Sequence, residues 1–95
     1  MAAWRSAAQR RDHFAEHGPE LGFNTIEEYD ASAQDTLDTG VYFTYFDDFA
    51  EEQRTGCYDR TSERFVVLNM EDEIISHYVC SERYIRRLSY NNYDE

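Results

Sequence analysis

At Gly40 the hydrophobic pattern of this chain changes period, and that switch limits the fold more than any other feature. Before it, "NTIEEYDASAQDTLDTG" spaces Ile26, Tyr29, Ala33 and Leu37 at helical intervals. Thr25 followed by Glu28 makes a capping box, and Glu27, Glu28 and Asp30 suit the positive end of a helix. With Gly40 as the stop, a helix is predicted over about residues 25–39. After it, "VYFTYF" (41–46) is β-branched and aromatic, the composition of a strand.

Three more strands follow: "RTGCYDR" (54–60), "RFVVLNM" (64–70) and "EIISHYVC" (73–80), the last two joined by a tight turn. Upstream, "AWRSAAQRRDHFAEH" (3–17) holds good helix formers, with Trp4, Ala7, Ala8 and Phe14 roughly on one face. Gly18 is expected to end that helix, with Pro19 and Gly22 in a loop. The segment after Cys80 reads equally as short strand or helix, with a frayed tail over 88–95. The expected fold is α+β: two N-terminal helices packed on one face of a roughly four-stranded antiparallel sheet. At 95 residues it forms a single domain, 1–95.

An apolar fraction of 41% supports a compact core. No run approaches the ~20 apolar residues that span a bilayer, and "MAAWRSAAQRRD" lacks the apolar stretch of a signal peptide. A soluble, cytoplasmic protein is expected, without membrane contact. Cys57 and Cys80 lack C-x-x-C spacing, so each is expected as a half-buried strand residue, one cross-strand disulfide being the alternative.

Charge is unevenly spread. The net charge is −11, and all nine bases are arginine. Residues 12–53 hold twelve acids and no arginine, whereas 54–95 hold six arginines against eight acids. Such an excess repels nucleic acid at long range, and with the absence of lysine it suits a salty cytoplasm, where that repulsion is screened.

"HFAEH" places His13 and His17 four apart, on one helix face. As a zinc pair it lacks the H-E-x-x-H form and matching further ligands, so no metal and no cofactor are expected. As a helix end it needs no function, since histidine there favours the free carbonyls. As an acid–base pair it suits metal-free phosphodiester cleavage, which needs a base for the ribose 2′-hydroxyl, an acid for the leaving oxygen and cationic donors. Arg54, Arg60 and Arg64, with Thr61 and Ser76, are the strand residues able to serve the phosphate.

"HFAEHGPELGFNTIEEYDASAQDTL" followed by "CYDRTSERFVVLNMEDEIISHY" resembles small nuclease domains of the barnase/EndoU/colicin/RelE-like group. The nearest likeness is to its phage- and toxin-associated branch, similar to colicin D-type RNase toxins. The shared pattern is H-x-x-[KR]-H on a helix, an acidic helix of T-x-x-E-Y type, and a meander ending in [TS]-[HYF]. It covers roughly residues 10 to 79. Glu16 stands where that pattern has a base, and "NMEDE" lacks the expected turn glycine. A carboxylate at 16 would raise the proton affinity of a nearby histidine.

The resemblance implies a metal-independent endoribonuclease, commonly acting on tRNA, from toxin–antitoxin or inter-bacterial conflict. A cognate antitoxin or immunity protein as partner, and delivery as a secreted toxin domain, go with that setting. His17 matches the acid or base and His13 its assistant. Arg60 and Thr61 match phosphate contacts, and Ser76 and His77 match the last-strand positions expected to face the same cleft. Arg54, Arg64 and Tyr58 are taken as substrate-binding. From a different class, an acidic, tyrosine-rich chain also suits a nucleic-acid mimic that occupies a basic cleft, as immunity proteins do, or an inactive nuclease fold used for protein interaction.

Overall fold

The structure, a computed structural model, describes residues 2–90 and 93. Three helices, α1 (Ala7–Leu21), α2 (Ile26–Thr39) and α3 (Glu82–Leu88), frame four strands: β1 (Val41–Asp47), β2 (Glu52–Asp59), β3 (Arg64–Leu68) and β4 (Ile74–Val79). The strands form one antiparallel meander in the order β1-β2-β3-β4. The α+β class and the helices-then-sheet order are those expected from the period switch.

The helix starts obey local chemistry. Ser6 caps α1 by accepting from the Gln9 amide at 3.0 Å. Thr25 and Glu28 form the reciprocal capping box on α2, and the backbone amides bonded to Glu28 hold its carboxyl below the usual range.

The expected stop at Gly18 is wrong by a full turn. Here α1 runs through Gly18 and Pro19 to Leu21 and closes on Gly22, whose φ of 83° is left-handed. The amides of Phe23 and Gly22 bond the carbonyls of Gly18 and Pro19, a Schellman closure. Gly18 serves packing instead: a Cβ there would sit 2.6 Å from the Phe14 ring. Gly40 does stop α2, but with extended backbone; glycine is required there by close packing, since a Cβ would meet Cys57 Sγ at 2.6 Å.

The helices do not share one sheet face. Tyr29, Ala33 and Leu37 of α2 cover one face over Cys57, Val66, Leu68 and Ile74. On the other face, Ile85 of α3 and Tyr93 close over Phe43, Tyr45, Tyr58, Phe65, Val67 and Ile75. Tyr93, placed in the expected frayed tail, is therefore a core residue; residues 91, 92, 94 and 95 of that tail lie outside the described residues. The remaining helix, α1, lies against β4 and α2. Residues 3–5 run beside β4, with Ile74 bonded to Ala3 and Arg5. The β4 edge is thereby closed, while no described strand pairs with the outer side of β1.

A bulge at Ile75 resets the register, so that Ile74 and His77 both belong to the α2 face. Cys57 packs under α2 and Cys80 against the opposite core, so the two thiols stay free. Burial pushes them up to about 11 and about 12. Among the described residues no helix is long and apolar enough to cross a membrane.

Candidate functional site

The inner side of α1 carries Arg10, His13, Phe14 and His17, three or four residues apart. Phe14 packs on Tyr29 and anchors the helix to α2. Beside it His13 and His17 stack with ring centroids 5.7 Å apart, and His17 lies 5.4 Å from the Tyr78 ring on β4. Ser76 Oγ comes within 3.3 Å of His13 Nδ1, joining positions 63 residues apart. The structure thus brings Ser76 to His13, and His13 against His17.

His17 is set between carboxylates. Its Nδ1 lies 2.8 Å from Glu20 Oε1, and Glu16 Oε2 lies 3.8 Å from Nε2. A proton on Nδ1 donated to Glu20 leaves Nε2 to accept or deliver a proton, the arrangement by which a carboxylate orients a catalytic imidazole. For His13, burial and the neighbouring His17 lower the proton affinity, outweighing the pull of Glu16 and Asp12. The carboxylate at 16 therefore does not leave His13 more basic than usual. Near neutrality His13 is largely uncharged and can accept a bond from Ser76.

His77 does not face this cleft. Successive strand residues point to opposite sides, so Ser76 meets α1 while His77 turns under α2, fully buried. The Phe65 carbonyl at 3.0 Å can only accept, so Nδ1 carries the proton and the Ser32 hydroxyl, 2.9 Å away, donates to Nε2. Burial holds His77 down at about 4, and the Tyr29 hydroxyl donates to its carbonyl. These satisfied bonds make it a core residue.

The arginines divide. Arg60 is drawn to α3 by a two-pronged bond to Glu82, which Arg86 shares and whose carboxyl is held at about 2. Thr61 sits in the exposed β2–β3 turn, its amide bonded to Asp59. Arg54 is committed to Glu52 at 3.0 Å and Asp47 at 3.7 Å. Tyr58, expected to bind substrate, is fully buried with its hydroxyl on the Cys80 carbonyl. Arg64 lies 5.3 Å over the Phe23 ring and forms no ion pair among the described residues.

Two contributors escaped sequence reading. Glu20 lay beyond the expected helix end, although its place three residues after His17 would have revealed it in a longer helix. Tyr78 is two residues past Ser76, so strand alternation alone puts it on the same side. Among the described residues no three His, Cys, Asp or Glu side chains gather as a metal site. Comparison of the chain with known protein families, curated proteins and solved structures finds no match.

Proposed function

We propose that the protein is a metal-independent endoribonuclease whose proton-transfer groups sit where α1 closes the β4 edge. His17, oriented by Glu20, is the general acid or base, and the His13–Ser76 pair supports it from the adjacent turn and strand. Tyr78 lies beside His17 on β4, and of the arginines expected at the phosphate only Arg64, over the Phe23 ring, forms no ion pair among the described residues. The carrying observation is the convergence of His13 and His17 with Ser76 from opposite ends of the chain. RNA as the substrate, tRNA among others, and a toxin or conflict setting with a cognate inhibitor rest on the resemblance alone.

The test is cleavage of total tRNA in EDTA at low and at molar salt. Discrete products are expected, reduced at least a hundredfold in His17→Ala, the scale of one acid–base group (about 10² to 10⁴).

Two observations favour a second reading, an acidic protein that occupies a basic cleft. Arg54 and Arg60, both expected at the phosphate, are bound by carboxylates, and residues 12–53 carry twelve acids without an arginine. Absence of cleavage by folded protein at either salt would put that reading first.

A further inference from the structure

A hollow of about 420 Å³ lies between the N-terminal segment, the start of α1 and α2. Trp4, Ser6, Arg10, Asp30 and Gln34 line it, and alanines supply the rest of its wall. Its volume falls in the range of small-molecule sites, about 300–1,000 Å³. The hollow adjoins the proton-transfer groups without containing them. Arg10 precedes His13 by three residues along α1, and the ring centroids of Trp4 and His13 are 6.2 Å apart.

Its polar groups are incompletely paired. The Arg10 guanidinium makes no hydrogen bond among the described residues: Nε is shielded from water without a partner, and Nη1 stands 4.0 Å from Asp30 Oδ2, too far for one. Asp30 Oδ1 accepts from the Trp4 indole at 2.8 Å, which leaves Oδ2 with nothing closer than that guanidinium. Gln34 is held through its amide nitrogen, which donates to the Ala2 carbonyl at 2.7 Å, and keeps its oxygen as a further acceptor. A donor fork and a carboxylate oxygen thus face the same hollow, with an aromatic ring beside them.

This arrangement selects a neutral, planar ligand. Arg10 and Asp30 cancel in charge, so a phosphate would sit against the carboxylate and an amine against the guanidinium. A flat ligand that satisfies both presents two adjacent acceptors to the fork and a donor beside them to Asp30. Guanine carries that order, N7 and O6 followed by N1–H, with its 2-amino group left for Gln34. Adenine sets an amino donor beside N7, and uracil has no two adjacent acceptors, so either leaves half of the fork unmet. Cytosine has the acceptors but one donor group fewer, and a single ring to lay against Trp4. A free amino acid would bridge the two charges and lay nothing flat on the indole.

We propose that this hollow is a guanine-binding subsite, with Arg10 on N7 and O6 and Asp30 on N1–H. That the guanine belongs to an RNA strand reaching His13 rests on the ribonuclease reading; binding of the base does not. Trp4 is the only tryptophan of the chain, so its indole N–H signal in NMR reports the hollow directly. The intact protein is titrated with guanosine 3′-monophosphate and, in parallel, with the adenosine, cytidine and uridine 3′-monophosphates, inorganic phosphate and glycine. Expected are shifts of the Trp4 indole and of the amides of residues 2–10 and 30–34, with the guanosine nucleotide bound roughly tenfold or more tighter than the rest. Arg10→Lys keeps the charge and loses the fork, and should weaken guanosine binding about tenfold without disturbing the fold. No Trp4 shift at millimolar nucleotide, an equal response to any of the other ligands, or unchanged affinity in Arg10→Lys would each overturn the proposal. Guanosine binding by folded protein that leaves tRNA uncut supports the subsite and removes the ribonuclease reading. Cleavage of tRNA without guanosine binding overturns the subsite alone.

Discussion

The two edges of the sheet are made from similar strands and end in opposite conditions. β4 is covered by residues 3–5, with Trp4 beside Ile74, and then by α1, which brings His13 and His17 against it. No described strand pairs with the outer side of β1, whose Tyr42 and Phe46 rings are about half exposed. The covering decides what each edge can do. A covered edge holds side chains in fixed mutual geometry, which acid–base chemistry requires.

Breaking the covered edge is expected to cost most. Trp4 stacks on Tyr29 with ring centroids 5.8 Å apart and donates to Asp30 at 2.8 Å. Trp4→Ala should lower the unfolding free energy by about 3 kcal/mol, seen as a shifted urea midpoint with unchanged slope. A loss under about 1 kcal/mol would mean that the N-terminal segment is not what closes β4.

Next in size is a pH effect beneath the same side of the molecule. His77 is held at about 4 in the fold against an ordinary value of 6.5, so between these values the unfolded chain binds the extra proton. That contribution to stability is whole above the ordinary value and is lost as pH falls toward about 4. Urea unfolding should weaken by about 2 kcal/mol on going from about pH 7 to about pH 5, and the His77 ring should remain neutral by NMR throughout. A His77 ring charged at about pH 6 would contradict the buried, neutral assignment.

The smallest effect belongs to the turn after β1. Phe49→Ala should leave stability within about 0.5 kcal/mol, because the ring is fully exposed. A large loss would show that the turn packs where the structure leaves it exposed.

Much of the architecture was legible in sequence because its causes are local. The period switch at Gly40, the Thr25–Glu28 box and the β-branched runs each act within a few residues, and strand limits agree to within two residues. What escaped reading depends on distant partners. Gly18 and Pro19 look like a stop until Phe14 is seen lying over Gly18 and the Schellman closure is found at Gly22. The fate of Ser76 and His77 turns on strand alternation and on a bulge at Ile75. Arg60 is expected at the phosphate as a strand arginine and by the resemblance, but Glu82, 22 residues on, decides where its guanidinium goes. Within the site, the His13–His17 pairing was readable from helical spacing, and its junction with Ser76 only from the resemblance.

The most direct test of this division of labour is one comparison of cleavage rates. Total tRNA in EDTA would be given to the unaltered protein, to His17→Ala and to Phe49→Lys, each shown to be folded. The account predicts cleavage by the first and third at similar rates, and a loss of at least a hundredfold in His17→Ala, within the range of about 10² to 10⁴ for one proton-transfer group. Equal cleavage by all three, or none by any, would contradict the assignment of chemistry to the covered edge.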